Sequence, residues 1–576
     1  MHPSPTADQS IKPGKLYADL ESAFTSLDEK NASRSLYIHD ASLWKTDAEN
    51  VKSIDNRLGW LKLPDDMLQK ADELTSFAKQ IKEEGYKHAV LLGMGGSSLC
   101  SEVARETFGS AEGYPDLFVL DNTSPEAISD LEKQIDIEKT LFIAASKSGN
   151  TKETLCFYKY FYDQLSRKGK TNPGDNFVAI TDARTPLVNI SADHHFRKVF
   201  VNPSDIGGRY SVLSYFGIVP MALMGIDIKI LLQSAEQMKI SCNTIETTAN
   251  NPGISLGAML GTSYQHGRDK VTFVLSSSIS SFGYWVEQLI AESTGKEGKG
   301  LIPVNGEEVG APDVYGTDRI FAHIYLRADD NAVDERKVKT LEDAGHPVIR
   351  IAINDRTALG GEFYRWEIAT AIAGMIIGIN PFNEPNVAES KKNTDNLLDE
   401  WTHTGAFKKA EILFDTDHIT IYGSEKMRQE IGMGEESIGD LIARFTDLTK
   451  PNDYMALLPY FMMTDTRMKI LQQWRQQLRD ELKVATTLLN GPRYLHSTGQ
   501  LHKGGPDTGL YIILTTDEDN DLPIPDEKFG FATLHQAQAL GDYRSLDDKG
   551  RRVIRIDLGK NIDAGLEVLW QSVKMQ

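Results

Sequence analysis

The stretch Ser146 to Thr151, SKSGNT, crowds Ser146, Lys147, Ser148 and Thr151 into one short loop. An apolar run, Leu141 to Ala145, precedes it, and a helix is expected to begin near Thr151. Free backbone N–H groups, hydroxyls and the positive end of a helix dipole then meet at one point. That is an anion cradle, best suited to a phosphate. An ordinary capped turn needs only one such hydroxyl.

A second glycine-rich loop, GMGGSS, offers Gly95, Gly96 and Ser97. A dinucleotide fingerprint needs glycine at its sixth place, where this chain has Ser98, so a side chain would stand between helix and strand. Asp121 ends the next apolar run at about the right distance for a ribose, yet the better reading is a second set of amides and hydroxyls for a polar substrate. Arg209 follows Gly207 and Gly208 in SDIGGRYSVLS. Glycines let backbone approach a ligand, and an arginine there can aim five donors at developing negative charge. Glu292, in AESTGK, ends an apolar helix, where partial burial would raise its pKa and make it a usable base. Lys391 falls on a helix entered from NPFNEPN. His496 and His502 sit in LHSTGQLHKGG, their spacing unsuited to one helix face and their flanking glycines suggesting a loop. Either is an acid/base candidate. No partner spacing for a metal accompanies them, and no metal site is expected.

These loops need strands to hold them. Apolar runs at His88–Leu92, Leu117–Leu120, Leu141–Ala145, Phe177–Ile180 and Lys198–Val201 alternate with helical stretches. Strands alternating with helices predict a doubly wound parallel sheet, an αβα sandwich, with ligands beyond the carboxyl ends of the strands. A second unit follows, with strands at Val271–Leu275, Ile320–Leu326 and Val348–Ile353. The apolar run Ile368–Ile379 reads as a buried helix, too short to span a bilayer. A third region has a helix-rich part, Arg467–Leu489, then strands at Leu510–Leu514 and Val553–Ile556. It repeats the second: LEDAGHPVIRI (341–351) and LDDKGRRVIRI (546–556) match at seven of eleven positions. The expected division is a helical segment over 1–85, α/β units over 86–235 and 236–405, and a duplicated α/β region over 406–576.

The 576 residues carry a net charge of −20, which argues against nucleic-acid and acidic-membrane partners. Three widely spaced cysteines form no disulfide framework and suggest a reducing compartment. The first residues lack the apolar core of a signal peptide, and a cytoplasmic location is expected.

As a set, the motifs resemble the phosphoglucose isomerase family, built from sugar-isomerase (SIS) modules. GMGGSSL and SKSGNTKET are similar to its sugar and phosphate loops, and GGRYSVLS is nearly its signature. AESTGK is similar to the segment bearing the base, NPFNEPNVAESK to the one bearing an active-site lysine. The likeness runs from about residue 85 to 400, closest to the isomerase half of transaldolase–isomerase fusions. No stretch long enough for an aldolase barrel is seen, so no transaldolase activity is expected. The resemblance implies a cofactor-free aldose–ketose isomerase of glycolysis and gluconeogenesis, interconverting glucose 6-phosphate and fructose 6-phosphate. Ser146, Ser148 and Thr151 would hold the phosphate. Gly95, Ser97 and Arg209 would line the sugar, Glu292 would shuttle the proton, and Lys391 with a histidine would open the ring. In the family that histidine precedes the lysine and reaches in from a neighbouring subunit. Here the repeat puts Glu308 at that position and His502 at its counterpart in the third region. The expectation is that His502 serves from the same chain, so that a monomer suffices, with His496 and a homodimer as alternatives. A non-catalytic sugar-phosphate sensor and an isomerase for another sugar phosphate are the competing readings.

Overall fold

The computed structural model describes residues 7–243, 247–408, 410–432, 437–518 and 521–574. The described residues open on β1 (Ala7–Lys12), where a helical segment was expected. The helices that follow, through Ala71–Glu83, put Leu20, Trp60 and Leu74 into the main core. The first sheet comprises β2 (His88–Gly93), β3 (Asp116–Leu120), β4 (Thr140–Ala145), β5 (Phe177–Asp182) and β6 (Lys198–Asn202), all parallel, in the order β3-β2-β4-β5-β6. Its strands are continuous apolar runs because both faces are covered. Leu141 and Ile143 of β4 join the main core, while Phe142 between them faces a second cluster with Phe161 and Phe177. The register pairs Gly93 with Ala145. The two glycine- and hydroxyl-rich loops therefore leave the sheet side by side.

The second sheet contains β7 (Lys270–Leu275), β8 (Ile302–Val304), β9 (Arg319–Leu326) and β10 (Val348–Ile353), in the order β1-β10-β9-β7-β8 with β1 antiparallel. The third contains β11 (Ile412–Asp415), β12 (Thr420–Tyr422), β13 (Tyr454–Pro459), β14 (Ala485–Leu488), β15 (Gly509–Thr515) and β16 (Arg552–Asp557), in the order β11-β12-β16-β15-β13-β14. The run β16-β15-β13-β14 repeats β10-β9-β7-β8 strand for strand, with an antiparallel strand on the same edge. The repeated eleven residues run from the end of a helix into β10 and β16, so sequence and topology agree on the duplication. The expected helix-rich part divides into the helix Asp465–Leu482 and β14. Lys483, at φ 57°, ends that helix in the left-handed region without a glycine to announce it.

The two repeats meet along the edges β8 and β14. Ile302 and Val304 share a buried cluster with Tyr454, Ala456 and Ala485. Polar bonds line the same seam, and those between Thr486 and Glu307 and between Arg319 and Val484 cross it. Glu307 accepts from Arg319 Nη1 (3.0 Å), from the Thr486 amide (3.2 Å) and from the Thr486 hydroxyl (2.9 Å). Arg319 also donates to Val484 O (3.2 Å), and Arg475 to Thr486 O (3.1 Å). Burial alone would push the Glu307 carboxyl up, but Arg319 and Arg475 hold it below its ordinary value.

The helix Leu359–Ile377 is buried along most of its length and ends at Gly378 in a left-handed cap, which delivers the NPFNEPN loop. No helix among the described residues is long and apolar enough to cross a membrane. Glu307→Ala should strand the Arg319 guanidinium at the seam. Stability should fall by about 3–5 kcal/mol, read as a lower urea midpoint, and an unchanged midpoint would remove the ion pair from the seam's energetics.

Candidate active site

The site lies where the loops of the first sheet meet the end of the helix Phe282–Thr294 and the turn Arg493–His496 of the third region. Thr151 is the N-cap of the helix Lys152–Arg167. Ser146 Oγ and Thr151 Oγ1 are 2.8 Å apart, and Ser148 Oγ donates to Asn150 Oδ1 at 2.6 Å. Asn150, Thr151 and Glu153 face Lys391, His496 and Gln538 across a cavity of about 190 Å³. First-turn amides and hydroxyls at its wall suit an anion. Of the expected phosphate ligands only Thr151 lines this cavity; Ser146 and Ser148 sit behind it in the same loop, as does Lys147. The Lys147 ammonium binds Asp182 and donates to Ser204 O at 3.0 Å.

Gly95 and Gly96 serve close approach. A Cβ on Gly96 would lie 2.1 Å from Gly208 O, and one on Gly95, at φ +56°, 2.5 Å from His496 O. The loop carrying Arg209 and the turn carrying His496 thus both rest on bare backbone. Ser97 ends this short turn and is nearly buried. Asp121 accepts from Arg493 at 2.8 and 2.9 Å and from Ser98 Oγ at 3.2 Å. It is spoken for, consistent with the poor dinucleotide fingerprint.

Arg209 is 1 % exposed, and its guanidinium is saturated. Nε donates to Ser293 Oγ (2.7 Å), Nη1 to Glu384 (3.0 Å), and Nη2 to Pro381 O (2.7 Å) and Asn383 O (3.0 Å). Glu292 Oε1 lies 3.4 Å from Nη1. Arg209 therefore acts here as a fixed buried charge rather than an open fork. Glu292 is 8 % exposed, and its Oε2 accepts from Gln288 at 3.0 Å. Burial raises its pKa, Arg209 opposes this, and Glu384 adds to it. Burial would raise Glu384 too, but Arg209 outweighs it and holds that carboxyl below its ordinary value. Lys296, fully enclosed, donates to Asn380 O (2.9 Å) and Asn383 Oδ1 (3.1 Å), fixing the NPFNEPN loop. Burial, with Arg209 adding, pushes its pKa well down.

The structure separates the two candidate histidines. His502 lies on the short helix Gly499–Gly504, turned inward between the rings of Tyr494 and Tyr511 at 5.6 and 5.1 Å. Burial pushes its pKa well below the ordinary value, and it reaches no cavity of the site. His496, the weighed alternative, does. Its Nε2 lies 2.9 Å from Glu153 Oε1, and its carbonyl accepts from Gln288 Nε2 at 2.8 Å. Burial would push the Glu153 carboxyl up, but His496, with Lys391 adding, holds it at about 2. Gln538 also donates to Glu153, at 2.6 Å. Glu308, at the repeat-aligned position, is on the surface beside Lys337 and Gln476.

Glu153, Gln288, Lys296 and Glu384 were not singled out from sequence. Three of them lie inside the motifs already quoted, and Gln288 is one helical turn before Glu292. Together the groups supply an anion cradle, a buried carboxylate base beside a fixed positive charge, and a histidine–carboxylate pair facing a lysine. That set can abstract a proton alpha to a carbonyl in a phosphorylated polyol. Among the described residues no cluster of His, Cys, Asp or Glu could hold a metal.

A profile of the phosphoglucose isomerase family matches residues 64–307. The glucose-6-phosphate isomerase of Lactobacillus helveticus is 30% identical over 389 residues, covering 59% of this chain and 86% of that protein. A probable glucose-6-phosphate isomerase of Methanococcus maripaludis is 29% identical over 385 residues, covering 60% and 85%. A crystal structure of a glucose-6-phosphate isomerase from Chlamydia trachomatis superposes with a TM-score of 0.57 at 16% identity, over 69% of this chain and 90% of that one. A hypothetical protein of Thermus thermophilus gives the same score at 23% identity, over 68% and 99%.

Gly96→Ala should push the Arg209 loop outward. The expected result is a loss of about 1–3 kcal/mol in stability with a clear drop in activity. Wild-type activity and melting temperature would show that the two loops do not touch as described.

Proposed function

This chain belongs to the phosphoglucose isomerase family, and on that footing we propose that it interconverts D-glucose 6-phosphate and D-fructose 6-phosphate through a cis-enediolate, with Glu292 as the base. The observation that carries the reading is the buried Glu292 carboxylate, joined through Gln288 and His496 to Glu153 at the start of the anion-binding helix.

The phosphate is taken by Ser146, Ser148, Thr151 and the first amides of the helix Lys152–Arg167. Its binding energy orients carbons remote from it. His496, held by Glu153, and Lys391 exchange protons with the ring oxygen and the anomeric hydroxyl, which opens the pyranose. Glu292 removes the C2 proton and returns it to C1, while the carbonyl electron pair becomes the enediolate. Arg209 stabilises that anion through its field, with no reorganisation at the moment of reaction. His496 comes from the third region of the same chain, so one chain carries every group named.

The direct test is a coupled assay of fructose 6-phosphate conversion to glucose 6-phosphate. No turnover, together with no solvent tritium incorporated into fructose 6-phosphate, would leave a binder rather than an isomerase. Glu292→Gln should lower kcat by several orders of magnitude with KM little changed. Because burial raises its pKa above the ordinary 4.5, the base is lost as pH falls through that raised value. The acid limb of kcat/KM should therefore lie above 4.5. His496→Ala should lower kcat about 10²–10⁴-fold, while His502→Phe should leave it within a few-fold. The reverse ranking would return the role to His502.

A further inference from the structure

A larger cavity, about 490 Å³, lies on the other side of the turn that presents His496. It shares no lining residue with the cavity at the anion-binding loop. The two faces of the turn divide: Leu495 and His496 line the smaller cavity, Arg493, Tyr494 and Ser497 the larger. The larger one opens off the carboxyl ends of β3, β13 and β14, a position at which α/β sheets commonly bind ligands. Its volume falls within the range of small-molecule sites.

Two features define its chemistry. One wall is apolar, made by Phe118, Leu120, Met462, Met463 and Leu488. The polar wall is acidic, with Glu102, Glu106, Asp121 and Asp130 facing only Arg105 and Arg493. Both guanidiniums are already engaged. Arg493 binds Asp121 at 2.8 and 2.9 Å, and Arg105 binds Glu102 at 2.8 Å and Glu106 at 2.9 Å. Each guanidinium has its Nε and Nη2 committed to these carboxylates, so its charge is already matched.

Glu287 is the odd member. It is 8 % exposed and lines the cavity, and no described donor lies within hydrogen-bond distance of its carboxyl. A buried polar group without a partner costs free energy unless something else meets it. The carboxylates of the catalytic region contrast with it. Glu292 has Gln288 and Arg209, and Glu153 has His496 and Gln538. The charged groups that face Glu287 are Arg475 from the helix Asp465–Leu482 and Arg493 from the turn, with Tyr284 on its own helix. Burial outweighs both arginines and pushes the carboxyl up to about 8, so it carries a proton at neutral pH.

We propose that this cavity binds a small organic cation with a hydrocarbon body, its ammonium seated on Glu287 and its body against Met462, Met463 and Leu488. An anion meets a surplus of carboxylates. A neutral molecule would leave that surplus unmatched. A bare metal ion needs several oxygen ligands at one point, and among the described residues no such cluster of carboxylates forms. An ammonium with an apolar tail matches both walls, and thioether side chains adapt to tails of varied shape. When the ammonium docks, Glu287 gives up its proton to solvent and becomes the carboxylate of an ion pair.

The probe is n-hexylamine, compared with 1-hexanol and hexanoate, which keep the body and change the head group. Isothermal titration with the full chain at pH 7 should show hexylamine binding at least tenfold tighter than either control. Glu287→Gln should weaken it at least tenfold while leaving isomerase turnover intact. Titration in buffers of different ionisation enthalpy should show proton release that the Gln variant lacks. Met463→Trp, which fills the apolar wall, should also abolish binding and serves if the Gln variant does not fold. The proposal is overturned by no binding of hexylamine at 50 mM, by equal affinity for hexanol, by binding retained in both variants, or by displacement with fructose 6-phosphate.

Discussion

A guanidinium buried to 1 % exposure, that of Arg209, dictates the centre of this molecule. A buried charge is tolerated only if its N–H groups and its charge are both met. Arg209 is met by Ser293, Glu384, Pro381 and Asn383, with Glu292 close behind. Those partners come from the helix after β7 and from the loop after the long buried helix. Satisfying one side chain therefore joins the loop after β6 to two separate parts of the second unit. Glu292 is held against a positive charge in a desolvated place, and so the carboxylate that burial would neutralise stays available as a base.

The duplicated third unit extends this arrangement. β8 and β14 meet edge to edge over a seam sealed by Glu307, Arg319 and Thr486. The connection after β14 is longer than its counterpart after β8, and it carries the turn Arg493–His496 and the helix Gly499–Gly504. The unit that repeats the second thus carries a group onto the first sheet.

Much of this was visible in the residues. β4 and its loop read directly from LFIAASKSGNT, because a strand buried on both faces is a continuous apolar run and its polar loop stands out. Arg209 stood out behind two glycines, whereas Glu292 was singled out by the family resemblance, its neighbours fitting a solvated helix end equally well. The choice between His496 and His502 was not, because it turns on how one short turn and one short helix rotate after β14. No periodicity records that rotation. His502 looked equally suited to a loop, yet its helix carries it between Tyr494 and Tyr511. The ion pair of Lys147 with Asp182 was not legible for a related reason: the partner is distant in sequence. β14 hid behind the polar, helix-like run before it. β1 hid because ADQSIK has too few apolar residues to show alternation.

That last strand has a consequence for biosynthesis. β1 completes the edge of the second sheet by pairing with β10, about 340 residues further along. At roughly 5–20 residues per second the ribosome takes on the order of 20 to 70 s to make that partner. Throughout that interval the segment must stay unpaired without recruiting a neighbouring nascent chain. Its polar composition, with Ile11 as the sole large aliphatic side chain, is what a strand obliged to wait requires, because sticky unpaired edges seed aggregation.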